Sequence, residues 1–152
     1  MYTDTITLFN RKEGEDGDIW FPTVLHNVDL NMDRAAILAK YGAESADSAI
    51  LHIRYKQTGV NKMVGDKPWV SPKDWEKLPD QKKAITFTPG DRFDFFWLGD
   101  WGGEDPIYDA SYSGTATAGF YNHMNKNYDF VFAVSSVGGP YSVIPHFEIL
   151  GK

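Results

Sequence analysis

The side chains best able to do chemistry in this 152-residue chain are four histidines, His26, His52, His123 and His146, and two acidic groups. No two histidines stand two or four residues apart, so no pair is set on one metal-facing side of a strand or helix. Glu13, Glu15, Asp16 and Asp18 lack the fixed acid spacing and closing bidentate glutamate of an EF-hand calcium loop, and they read as a solvated turn. Asp100, Glu104, Asp105 and Asp109 lie near Trp97 and Trp101, a combination that suits sugar stacking with an acid and a base carboxylate. The same residues also read as a Gly/Asp loop beside core aromatics, because sequence does not set the separation of the carboxylates. Ser135, Ser136 and Ser142 have no defined His and Asp partners, and no Gly-x-Ser-x-Gly elbow, phosphate loop or dinucleotide fingerprint occurs. With no cysteine, a thiol nucleophile, a disulfide and a thiolate metal site are all excluded. The expectation is a protein that is not an enzyme and carries no metal, nucleotide or covalent cofactor.

The bulk properties agree with a packed, non-catalytic domain. Hydrophobic residues make up 42% and aromatics 15%, which places the chain outside the disordered class. Its length suits one domain, residues 1–152. A net charge of −6 argues against sequence-specific or general adhesion to nucleic acid, since that affinity comes from cations displacing phosphate counterions. An acidic wall can still let DNA pass without sticking. Apolar runs such as Phe130 to Val134 are too short to cross a bilayer, and no charged segment followed by an apolar block opens the chain, so no membrane partner and a cytosolic origin are expected.

Positioning these side chains falls mainly to strands. Ile6 and Leu8 alternate with Thr3, Thr5 and Thr7, the period of a half-buried strand, and Asp16-Gly17 turns the chain into the apolar run Ile19 to Val28 as a hairpin. Asp33 to Tyr41 fits either a capped helix or a strand, with helix preferred. Ala49, Leu51, Ile53 and Tyr55 share one face of a strand opposite His52, Arg54 and Lys56. Ser71-Pro72-Lys73-Asp74 begins a short helix to Leu78. Ile85 and Phe87, a turn at Pro89-Gly90-Asp91, and Phe93 to Trp97 read as a second hairpin. Tyr128, Phe130, Phe132 and Val134 form a strand, Gly138-Gly139-Pro140 a turn, and Val143 to Leu150 a final strand.

Gly99 to Gly119 is rich in Gly, Asp, Ser and Thr and reads as a long surface loop. The fold expected is mainly β, a small antiparallel β-barrel or sandwich with one or two short helices. Ile6, Leu8, Leu51, Ile53, Phe130, Phe132 and Val134 are expected in one core. The 99–125 region should be poorly ordered in an isolated monomer and serve as an interface through Trp101, Tyr108, Tyr112, Phe120 and Tyr121.

Several segments, in order, resemble the minor capsid proteins of long-tailed phages. Asp4-Thr5-Ile6-Thr7-Leu8-Phe9-Asn10 and Pro22-Thr23-Val24-Leu25-His26-Asn27-Val28 resemble the start of those proteins. Gly42 followed by Ala46-Asp47-Ser48-Ala49-Ile50-Leu51-His52-Ile53 looks like their glycine, linker and strand, and Pro89-Gly90-Asp91 like a Gly-Asp step before a late strand. Val137-Gly138-Gly139-Pro140 and Pro145-His146-Phe147-Glu148-Ile149-Leu150-Gly151-Lys152 are similar to their closing strand and tail. The group implied is the head-completion, stopper or head–tail connector proteins, small barrels forming a ring between portal and tail. The partners implied are copies of the chain itself, portal or adaptor proteins and tail proteins, with assembly in the host cytoplasm and residence in the virion. The chain is longer than that pattern, mostly in an insertion-like region at about 62–125. The alternative is a carbohydrate-binding β-sandwich module of a phage tail or bacterial glycan-binding protein, with Trp97, Trp101 and Tyr108 stacking on sugar.

Overall fold

A computed structural model describes residues 2–32, 49–113 and 118–152. The expected helix at Asp33 to Tyr41 lies outside the described residues. The first hairpin forms as the alternation requires: β1 (Asp4–Lys12) pairs antiparallel with β2 (Ile19–Met32), Ile6 opposite Leu25 and Leu8 opposite Thr23. A register shift between Asp4 and Ile6, with Asn27 at φ 57°, bends β2 so that its far end leaves β1 and pairs with β3 (Ala49–Arg54). The remaining barrel strands are β7 (Phe95–Leu98), β9 (Val131–Tyr141) and β10 (His146–Gly151). Their order is β1-β7-β9-β10-β3-β2, and the β1–β2 pairing closes the ring. The mainly β, barrel-type fold, with two short helices among the described residues, is thus the observed architecture.

Between β3 and β7 the chain builds a cover. β4 (Lys56–Thr58), β5 (Asn61–Val64) and β6 (Lys67–Trp69) form a separate three-stranded meander. It turns at Gly59 and Gly65, whose φ values of 61° and 62° suit residues without a Cβ. The helix α1 (Pro72–Glu76) follows, capped by the Ser71 side chain, which accepts from the Asp74 N–H. The helix places Trp75 edge-on against Phe21 at 5.9 Å, and the indole donates to Ala84 O at 3.1 Å. Val64, Ile85 and Phe87 then join the barrel interior.

That interior contains Ile6, Leu8, Leu51, Ile53, Phe132 and Val134, all buried, with Phe130 partly buried against them. Packing is close enough that a Cβ on Gly151 would stand 2.8 Å from Phe132 Cβ and 2.9 Å from Phe96 Cζ.

Several local expectations change once tertiary partners are known. Phe95 to Leu98 does not pair with Ile85 and Phe87; it lies between β1 and β9, because the chain at Thr88 to Asp94 turns through a 3₁₀ segment (Gly90–Arg92) into the barrel. The 62–125 region supplies one strand of the barrel, β7. Gly138-Gly139-Pro140 continues β9, and the turn falls at residues 142–145. The 99–125 region is not a bare surface loop. It carries β8 (Ile107–Tyr108), which adds to β2, a 3₁₀ turn (Asp109–Tyr112) and helix α2 (Phe120–Asn127). These cover the outer face of β1 expected to face water, where Thr7 and Phe9 are both fully buried.

Asp94 ties this arrangement together from inside. Its carboxylate, 1% exposed, accepts from Asn10 Nδ2 at 2.9 Å and from the N–H groups of Arg11 and Thr88, each at 2.8 Å. The three donors favour the ionised form, yet burial outweighs them and pushes the carboxyl up to about 7. An acid whose folded value is raised from 3.8 holds its proton better when folded, so its contribution is complete in acid and is lost as pH rises from about 4 to about 7. Urea midpoints measured across that range should fall with pH for the natural chain more than for Asp94→Asn; parallel profiles would contradict the assignment. Phe132→Ala should cost about 3–5 kcal/mol in the same assay, the range for large core truncations. A loss below 1 kcal/mol would mean that Phe132 does not fill the barrel.

Candidate interaction surface

Four of the five aromatics singled out in the 99–125 region come together, but as a second hydrophobic core outside the barrel rather than as a free surface. Phe120 is fully buried at the start of α2, 5.2 Å from the Phe9 ring and 5.4 Å from Trp101. Tyr112 packs on it at 5.1 Å, and Tyr121 meets Phe93 at 4.8 Å and Phe95 at 5.1 Å. Burial raises the Tyr121 phenol above its ordinary range. Phe120 is therefore a core residue, because its neighbours on β1 and β7 offer an apolar face that would otherwise be wet. Tyr108 stands apart on β8 and is 49% exposed.

Asp109 holds this layer to the barrel. One of its oxygens accepts from Trp20 Nε1 at 2.7 Å and from the Phe120 N–H at 2.9 Å, and the other from the Asp18 N–H at 3.3 Å. Beside it the Arg11 guanidinium is sandwiched between Trp20 (4.5 Å) and Phe93 (4.4 Å), with Asp18 at 3.5 Å. Burial lowers its proton affinity against the opposing pull of Asp18. Arg92 also reaches Asp18, at 2.8 Å. A cavity of about 380 Å³ opens here, where Asp18 pairs with both Arg11 and Arg92 while Arg11 Nε is buried without a hydrogen-bond partner among the described residues.

The tryptophans do not form a sugar platform. Trp97 and Trp101 meet edge to face at 87°, and Trp101 also packs on Phe9 of the second core at 5.5 Å. Tyr108 joins neither ring, being paired in β8 with Ile19. The histidines are likewise engaged locally. His52 lies across the strands between Asp29 (3.5 Å) and Glu148 (3.7 Å), and the His146 ring is 6.1 Å away. Among the described residues, no three His, Cys, Asp or Glu side chains converge as a metal site would require. No described helix is long and apolar enough to cross a membrane.

The most exposed aliphatic side chains among the described residues sit at hairpin tips. Val143 is 96% and Ile144 69% exposed in the β9–β10 turn, beside Tyr141 at 45%. Val60, in the β4–β5 turn, is 91% exposed. The chain entering the β4–β5 hairpin is tied to the β9–β10 turn, since the Tyr55 N–H donates to Pro145 O and the Tyr55 hydroxyl to Tyr141 O. Sequence reasoning missed them: the Thr58-Gly59-Val60 and Val64-Gly65-Asp66 turn signals are present, but the three short strands that these turns join alternate too briefly to stand out.

Asp109→Ala should leave the Trp20 and Phe120 N–H groups without acceptors and cost about 1–3 kcal/mol, with a loss of near-ultraviolet ellipticity from the second core. An unchanged spectrum and midpoint would show that the aromatic layer holds without this tie.

No curated protein and no solved structure matches the chain. Residues 1–152 match the family of unknown function DUF6751, to which the chain therefore belongs.

Proposed function

We propose that this protein is a virion structural component of the head-completion or head–tail connector type, forming a ring of its own copies between portal and tail. The observation that carries this reading is the pair of hairpin tips. Val60 and Val143 hold aliphatic side chains almost wholly in water and Ile144 holds one largely so, while most other large apolar groups among the described residues are buried. Exposed aliphatic clusters of this kind mark surfaces covered by a partner. The residue resemblances described above support the same assignment, and the net charge of −6 suits a wall past which DNA moves without adhering. Portal or adaptor and tail proteins are the neighbours this role requires, with assembly in the host cytoplasm. The carbohydrate-binding reading draws no support from the perpendicular indoles of Trp97 and Trp101.

Labelled protein should locate to the head–tail vertex of purified particles; absence from particles would overturn the proposal. Val143→Asp combined with Ile144→Asp should leave the barrel folded, as both side chains are exposed, yet reduce incorporation into particles. Normal incorporation of a folded double variant would remove the β9–β10 tip from the contact.

A further inference from the structure

β2 has an edge that the barrel leaves open. On the side away from β1 it pairs with β8 only at Ile19 and Trp20 and with β3 only at Asp29 to Met32. Between those points, residues 21–28 meet no strand among the described residues. The Asp109 N–H donates to Asp18 O on this side, so by the alternation of a strand the backbone groups of Trp20, Pro22 and Val24 face the same way. Pro22, which has no N–H, is placed where an edge tolerates it.

A groove of about 560 Å³ runs along this edge. One wall is Val64 to Asp66 and the other Gly102 to Glu104, with Arg54 at one end. Its glycines leave room: a Cβ on Gly65, Gly102 or Gly103 would meet nothing within 4 Å. Acids dominate the mouth. Asp66 is exposed, Glu104 keeps a 63% exposed side chain although it contacts Lys67 at 3.2 Å, and the adjoining loop adds Asp100 and Asp105. Two cations border it: Arg54 is engaged over the Tyr2 ring at 3.9 Å, and Lys67 reaches from Glu104 to the Thr23 hydroxyl, to which it donates at 3.1 Å.

The same chain presents an element of opposite character. β4 is an edge strand with all three residues exposed, its outer side unpaired among the described residues. The hairpin it forms with β5 ends in Val60, and from Tyr55 to Val64 its only charged residues are Lys56 and Lys62. Tip and groove belong to opposite ends of the meander: β5 runs from beside Val60 to Val64, a span of about 13 Å at ~3.3 Å per residue. A copy therefore cannot fill its own groove with its own tip.

We propose that the β4–β5 hairpin of one copy docks along the open β2 edge of the next, its edge strand extending that sheet, with Val60 between the glycine walls and Lys56 and Lys62 facing Asp66 and Glu104. This inference rests on the ring reading and names the contact that would build the ring. Edge-to-edge pairing supplies main-chain hydrogen bonds, and the charge pattern sets direction and register. Because the two surfaces differ, the contact is heterologous and repeats from copy to copy until the rotation closes.

The test is the association state of the full chain by sedimentation velocity and native mass spectrometry, with circular dichroism as a check of folding. Val60→Asp, Lys62→Glu and Asp66→Lys should each weaken assembly by about tenfold or more, a loss of roughly 1.4 kcal/mol. The double variant Lys62→Glu with Asp66→Lys should recover much of it. The cysteine-free chain also permits a covalent readout: Val60→Cys with Gly103→Cys should give a ladder of disulfide-linked oligomers on mild oxidation. If the natural chain assembles and folded Val60→Asp assembles equally well, the contact is wrong while the ring reading stands. If the natural chain stays monomeric and the cysteine pair yields no ladder, the contact is overturned. Particle location of the natural chain then decides the ring reading separately.

Discussion

Burial of β7 on both faces is the constraint on which the rest of the structure depends. Phe95 and Phe96 are consecutive, so in a strand they point to opposite sides, and both are fully buried. Phe96 packs inside the barrel with Phe132, ring centres 5.4 Å apart, while Phe95 stacks on Phe9 at 4.6 Å outside it. A closed barrel alone would leave Phe9, Trp20 and Phe95 in water. Burying that much aromatic surface requires a second layer, and the stretch from Trp101 to Met124 supplies it.

Polar groups fasten the layers where apolar packing gives no direction. Asp94 joins β1 to the chain entering β7, and its own main chain accepts from Val134 on β9 at 2.9 Å. Asp109 performs the matching task outside the barrel. Thr7 links β1 to the layer above, its hydroxyl donating to Gly99 O at 2.8 Å and accepting from the Trp101 N–H at 3.0 Å. Buried polar groups that are satisfied in this way specify one arrangement among many of similar apolar burial.

Set against this internal economy, the exposed features stand out by chemistry rather than by size. Aliphatic side chains at two hairpin tips and, among the described residues, an unpaired edge strand and an open stretch of β2 are each a liability for a protein that acts alone, since each invites association. They make physical sense together in a chain that works by contact with its own kind. The glycine-walled groove leaves this stretch of β2 open among the described residues.

Local patterning alone determined much of the fold. The alternations at Ile6 and Leu8 and at Ala49 to Tyr55 marked barrel strands, because one apolar face per strand is a local property of the chain; the run from Tyr128 to Val134 marked one only in part, since β9 begins at Val131 and leaves Tyr128 and Phe130 outside it. The Ser71 cap and Pro72 likewise announced α1. Tertiary structure decided everything that depends on a second neighbour. Phe95 to Leu98 carries apolar residues on both faces, so periodicity could not say which strands would flank it or that Ile85 and Phe87 would pack inside instead of pairing with it. The glycines and acids between Gly99 and Gly119 suggested solvent, yet the aromatics among and just beyond them had the uncovered face of β1 and β7 to bury. The meander at Lys56 to Trp69 escaped notice for the same reason: strands of three or four residues leave too short a pattern, and pairing with one another, not local preference, is what makes them strands.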